Sequence, residues 1–260
     1  MRLSLDTRAG VWTVRVCTLA LLLGAWQIYA DGISRALFAP PTEIAESFVE
    51  IAINDDALLD AAVVSMGSML VGFALAIGVG VAVGVAMGRF RILEHALDPY
   101  VSFLYAVPSI ALIPLLVIWF GIDATLRVVL VFLAAVFPII VNTMAGVKQV
   151  DGELIDVARV NCASERQIMR SVILPAALPF VFAGIQVALA QALVGVIVAE
   201  MTAVVTGLGG LIIRYAQFFQ TAKLFVPILA VMALSIVLTA LLRMLQRRIA
   251  PWATVDLREL

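Results

Sequence analysis

Charge is scarce in this chain of 260 residues. Asp, Glu, Lys and Arg together make up 13%, hydrophobic residues 63%, and the mean hydropathy is +1.11, whereas soluble domains carry about 25% charged residues. That shortage excludes an ordinary water-soluble domain and marks an integral membrane protein. The net charge of −1 gives no basic excess to draw in nucleic acid. Cysteine occurs twice, as Cys17 and Cys162, and histidine once, as His95. Neither a disulfide framework nor a CxxC metal site can be built from these. His95 lies in the charged stretch 89-RFRILEHALDP-99 with no second ligand near it, so it reads as a solvated loop residue. No nucleophile-plus-base constellation is present, which argues against an intramembrane hydrolase. No GxxxxGK[ST] stretch occurs, so nothing here cradles nucleotide phosphates.

What is abundant is long apolar runs. Six come close to the ~20 residues that cross a hydrocarbon core: about Val11 to Ala30, Ser65 to Gly88, Tyr100 to Phe120, Leu126 to Val147, Ala176 to Val198 and Leu224 to Leu245. Together they make one transmembrane domain, residues 1–260. The first follows Arg2 and Arg8 as a signal peptide would. Its length, its internal Arg15 and the lack of a small-x-small cleavage site favour an uncleaved anchor. With the N-terminus inside, the cytoplasmic side carries Arg2, Arg8, Arg89, Arg91, Lys148, Arg159, Arg166, Arg170, Arg243, Arg247, Arg248 and Arg258. The outside keeps Arg35, Arg127, Arg214 and Lys223. The positive-inside rule and an even span count then put both termini in the cytoplasm. Acidic residues gather in the first outer loop, from Asp31 and Glu43 to Asp55 and Asp60, where Pro40-Pro41-Thr42 begins a short amphipathic helix.

One segment between the fourth and fifth spans stands apart: 151-DGELIDVARVNCASERQIMRSVILP-175. Asp151 is placed to cap a helix with Glu153 in its first turn and Leu154, Ile155, Val157 and Ala158 as its apolar side. That helix should end near Asn161. Ser164 and Gln167 form a capping box for a second helix, expected to run through Ile168, Met169, Val172 and Ile173 to Pro175. The corner falls at Asn161-Cys162-Ala163. Periodicity alone leaves two readings open: a lever that receives a push from another protein, or an amphipathic stretch lying on lipid headgroups.

This segment resembles the cytoplasmic signature of the permease subunits of binding-protein-dependent ABC importers: Glu-Ala-Ala, three residues, Gly, nine residues, Ile-x-Leu-Pro. The register here is Asp156-Val157-Ala158, Cys162 and Val172-Ile173-Leu174-Pro175, with every spacing kept. A residue with a Cβ takes the left-handed cap conformation at a cost of ~1–2 kcal/mol, so Asn161, which tolerates it, is expected to bear the turn in place of Cys162. Further similarity points to the nitrate, sulfonate, taurine and bicarbonate permeases. It is carried by Val107-Pro108, Ile113-Pro114-Leu115-Leu116, Trp119-Phe120-Gly121-Ile122, Ala199-Glu200-Met201, Gly207-Leu208-Gly209-Gly210 and Arg247-Arg248-Ile249-Ala250-Pro251-Trp252. Asp123 stands where that group often has glycine.

The resemblance implies an all-α type I importer permease with six spans in a bacterial inner membrane. It implies two copies of this chain, two cytoplasmic ATPase subunits that bind ATP and Mg, and an external solute-binding protein. Leu154, Ile155, Asp156, Val157, Ala158, Arg159, Asn161 and Cys162 would then form the coupling helix and corner. Its cargo would be a small oxyanion, sulfonate or related organic anion. An aromatic acid, vitamin precursor, amino acid or betaine is the alternative. An ATP-independent secondary transporter is a rival, but it calls for paired ionisable residues at mid-membrane, and the candidates here, Arg15 and Glu200, are peripheral.

Polar residues within spans are candidates for the path, since each costs free energy in lipid. Gln186 and Glu200 are fourteen residues apart, which places them within ~40° of one another and ~21 Å apart along a helix; Gln191 lies off that line. Ser109 sits between Pro108 and Pro114, whose missing N–H groups free carbonyls. Glutamine as interhelical glue, with Glu200 reaching the outer interface, is the other reading. Gly80, Gly84 and Gly88 form a stripe expected to serve close helix packing.

Overall fold

The computed structural model describes residues 8–54, 56–203 and 205–253; Arg2, Asp55 and Arg258 fall outside them. Helices account for nearly all of the described chain, and no strand occurs among these residues. Among the described residues five helices are long and apolar enough to cross a membrane, or six if a bent pair is counted as one span.

The centre is a three-helix slab. Helix α3 (Ala57–Arg89) begins eight residues before the expected span and, at ~1.5 Å per residue, runs about 50 Å. It lies along α6 (Ala124–Lys148), which in turn lies along α9 (Leu174–Thr202). Glycine sets the spacing. A Cβ on Gly80 would fall 2.8 Å from the Cβ of Ile139, and one on Gly84 would fall 2.6 Å from the Cβ of Thr143. On the other face of α6, Gly146 leaves 2.5 Å for a Cβ against Phe180, and Gly184 leaves 2.8 Å against Asn142. Without a hydrophobic force between helices in lipid, such close backbone approach supplies the van der Waals contact that holds them. The expected packing role of Gly80, Gly84 and Gly88 fits these distances. Met69, Ala76, Val131, Ala135, Ile139, Ala188, Ala192 and Val196 fill the interior of the slab.

The third expected span is not one helix. Helix α4 (Arg91–Ala106) and the segment Ser109–Phe120, a 3-10 turn leading into α5 (Ile113–Phe120), meet at 85°. Pro108 is the cause: a residue before proline is pushed out of the helical region, and Val107 sits at φ −73°, ψ 124°. The stretch around His95 is helical rather than a loop, and His95 Nδ1 lies 2.7 Å from the Arg91 carbonyl oxygen one turn back.

Helix α1 (Arg8–Asp31) is unburied along its apolar stretch and touches the rest of the chain near its C-terminal end. There the Trp26 indole donates to the Ala39 carbonyl at 3.2 Å and packs on Phe38 and Phe225. Helix α2 (Pro41–Asn54) is the amphipathic helix foreseen after Pro40. It packs beside α10 (Gly207–Gln217) and α11 (Thr221–Ile249) through Ile51, Leu208, Leu211, Tyr215 and Val226.

Overpacking a filled core costs roughly 1–3 kcal/mol. Gly84→Val, whose side chain meets Thr143, is expected to lower the thermal midpoint of the purified protein by several degrees. Gly78→Ala, with nothing within 4 Å of its new Cβ, is expected to leave it unchanged or raise it. Equal midpoints for the two variants would remove glycine contact as the organiser of the slab.

Candidate functional site

The elbow between α6 and α9 begins where Asp151 accepts the Glu153 N–H at 2.9 Å and starts α7 (Gly152–Val160). Ile155 and Ala158 turn toward Val147, Ile168, Ile173 and Ala177 and seat the helix on the slab. Leu154, Val157 and Val160, spaced three apart, point outward and are 53%, 59% and 83% exposed. Asp156 and Arg159 flank them. Arg159 lies 3.6 Å from Asp156 and 3.6 Å from Glu165, and Glu165 also pairs with Arg89 at the end of α3. Lys148 pairs with Glu94 in the first turn of α4. Exposed pairs of this kind contribute about 0–1 kcal/mol each, so they orient the elbow more than they stabilise it.

The corner differs from the sequence expectation. Cys162, not Asn161, is left-handed, at φ 57°; Asn161 stays at φ −81°. The hydrogen bonds explain why. Cys162 N–H donates to Arg159 at 2.9 Å and Ala163 N–H to Ala158 at 3.0 Å, the paired bonds of a Schellman cap whose left-handed position is residue 162. Asn161 instead holds the Val157 carbonyl through both its N–H, at 3.2 Å, and its side-chain amide, at 2.8 Å. That keeps its backbone near the helix.

The Ser164–Gln167 capping box is present and opens α8 (Glu165–Ile168). The second helix does not stop at Pro175 as expected. A π turn over Met169–Ile173 carries it into α9, giving a continuous 38-residue helix, Glu165–Thr202. Proline cannot donate to the carbonyl four residues back, and its ring crowds that carbonyl. The wider turn, in which Leu174 N–H reaches the Met169 carbonyl, makes room.

The path candidates lie in different surroundings. Ser109 is half-buried at the start of the 3-10 turn, Gln186 is exposed, Gln191 is half-buried, and Glu200 is completely buried. Gln186 and Glu200 therefore share a helix direction but not an environment, because Ser65 of α3 and the start of α10 close over Glu200. The Glu200 carboxylate accepts the Ser65 hydroxyl at 2.8 Å and the Gly209 N–H at 3.0 Å, while Ser65 accepts the Leu208 N–H at 2.9 Å. Beside it, buried Arg127 donates to Ser68 at 3.0 Å and to Thr206. Glu200 thus does not reach the interface as the simpler reading supposed. Ser65, Ser68, Arg127 and Thr206 escaped sequence reasoning. Arg127 and Glu200, opposite charges at adjoining ends of neighbouring spans, were the signal available.

Residues 64–251 match the family described as binding-protein-dependent transport system inner membrane component. The chain belongs to that family of importer permeases. Curated relatives agree over nearly the whole length. A putative aliphatic sulfonates transport permease protein SsuC of Bacillus subtilis is 33% identical over 243 residues, covering 93% of this chain and 88% of the relative. The taurine transport system permease protein TauC of Escherichia coli is 33% identical over 246 residues, covering 92% and 90%. Among solved structures, an inward-facing MetNI methionine ABC transporter matches with a TM-score of 0.58 at 21% identity, covering 76% of this permease and 96% of that chain. The type I importer fold follows. This permease is a membrane-embedded subunit of an ABC importer, and ATP hydrolysis in such systems belongs to a separate subunit.

Removing the left-handed strain at residue 162 recovers about 1 kcal/mol or less, since glycine loses more chain entropy on folding. Cys162→Gly is expected to slow amide exchange across the elbow, whereas Asn161→Gly should speed it. The reverse order would contradict the Schellman assignment.

Proposed function

We propose that this permease passes a sulfonate or a related small organic anion from an external binding protein to the cytoplasm, by alternating access within a homodimer. The observation that carries the coupling half of this reading is the elbow. Three apolar side chains, Leu154, Val157 and Val160, stand exposed on a helix already seated on the slab by its other side. A helix with an apolar face in water invites a groove on a partner. That partner is one of two cytoplasmic ATPase subunits, which hold ATP and Mg. Leu154, Asp156, Val157, Arg159 and Asn161 meet it, Ile155 and Ala158 brace the helix from behind, and Cys162 shapes its exit. Both chain termini face the same side as the elbow.

The cargo half rests on the two relatives whose names specify aliphatic sulfonates and taurine, each matched over about nine-tenths of its length. The path runs past Ser109, Gln186 and Gln191, uncharged hydrogen-bonding groups suited to an anion. Glu200, completely buried, stands behind that path rather than lining it. The exposed apolar faces of α4 and α5, with Tyr100, Phe103, Ile118 and Trp119 outward, are covered by the second copy or by lipid.

The test is import into vesicles holding the permease, its ATPase subunit and its binding protein. Uptake is expected to need ATP and to follow the ligands that thermally stabilise the binding protein, with sulfonates first; stabilisation by a cation or a sugar alone would overturn the cargo. Leu154→Asp combined with Val157→Asp is expected to abolish co-purification of the ATPase subunit while the permease remains folded. Retained assembly and coupled hydrolysis would remove the elbow as the docking site. Gln186→Leu and Gln191→Leu are expected to lower the import rate severalfold without affecting assembly.

A further inference from the structure

The buried Glu200 is not needed by the coupling elbow, and an acidic group is ill suited to bind an anion, so its surroundings call for another account. Four elements converge on it: Ser65 and Ser68 from α3, Arg127 from α6, Glu200 itself from the last turn of α9, and Thr206 to Gly209 entering α10. The first N–H groups of a helix have no partner within it. Here the N–H of Leu208 goes to the Ser65 hydroxyl and that of Gly209 to the Glu200 carboxylate. Glycine permits the approach. Gly207 is left-handed at φ 67°, and a Cβ there would lie 2.3 Å from Glu200 Oε1; a Cβ on Gly209 would lie 2.7 Å from the Glu200 Cβ. No side chain larger than hydrogen fits between α10 and this carboxylate. Both carboxylate oxygens are engaged within the protein and none of the residue is exposed, which leaves no face for cargo.

We propose that Glu200 is a positioning residue for transport: its carboxylate latches the start of α10 to α3 and α9, so that the outer end of the path opens and closes as one body with the central slab. This goes beyond the importer reading and rests on it only for which end of the path is meant. An outer helix free to move alone would let the outer gate leak or lag, and hydrolysis would proceed without import.

The experiment compares wild type, Glu200→Gln and Ser65→Ala in the complete complex with ATPase subunit and binding protein, reconstituted in vesicles. Spin labels at Val63→Cys and Gln217→Cys, both exposed, report the distance from α3 to α10 in a background lacking the native cysteines. Both variants are expected to assemble, to keep basal ATP hydrolysis and the half-saturating solute concentration, and to broaden the distance distribution. Loss of one charge-assisted hydrogen bond shifts the equilibrium between latched and unlatched forms by at least about tenfold, and import per ATP is expected to fall with it. An unchanged import ratio with a narrow distribution would overturn the latch. So would a raised half-saturating concentration at normal maximal rate, which makes Glu200 a path ligand, and so would failure of both variants to assemble, which makes it a folding residue. ATP-independent import by the wild type would sink the importer reading instead, and the label distance reads the latch in either case.

Discussion

Everything in this permease leans on the contact of α3 with α6. In lipid, apolar side chains gain nothing by leaving one another's company for acyl tails, so helices adhere only where their surfaces fit closely. Gly80 and Gly84 against Ile139 and Thr143 supply that fit on one side of α6, and Gly146 and Gly184 supply it on the other. The three helices therefore behave as a plate with α6 in the middle. The peripheral helices α1 and α11 are little buried; α1 attaches near its C-terminal end through Trp26, and α11 packs on α2, α9 and α10. Any movement imposed on one end of this plate must reach the other, since the helices cannot slide without breaking contact along their length.

The two ends of α3 show how that plate is fastened. At its C-terminal end Arg89 pairs with Glu165, which also attracts Arg159 on α7. Toward its N-terminal end Ser65 bridges Glu200 and the Leu208 N–H. The chemistry differs as the surroundings require. The joint at Arg89 is ionic, half-solvated and individually weak. The joint at Ser65 is buried and made of donors and acceptors that water does not reach, so each group must be satisfied within the protein.

Much of this was legible in the sequence because it depends on local rules. The caps at Asp151 and Ser164, the helix start after Pro40 and the glycine stripe each follow from a few neighbouring residues. Failures came where the answer depended on several hydrogen bonds at once or on a distant element. Asn161 tolerates a left-handed backbone better than Cys162 does, but helix length and the Ala163-to-Ala158 bond decide which residue must adopt it. The periodicity linking Gln186 to Glu200 was correct as geometry. It could not tell that α10 covers one and leaves the other bare, because α10 folds back from beyond the end of α9. The apolar run from Tyr100 to Phe120 looked like a single span because hydropathy is blind to the direction of the backbone at Val107-Pro108.

The π turn at Met169–Ile173 changes the phase of the long helix on either side of it. An extra residue in one turn rotates everything before it by about a quarter of a revolution relative to an unbroken α-helix. Ile168 faces the buried cluster with Ile173 and Ala177 in that shifted phase. The turn therefore works as a fixed angular coupling, like a keyed joint between two shafts, that sets the bearing of α7 against α9.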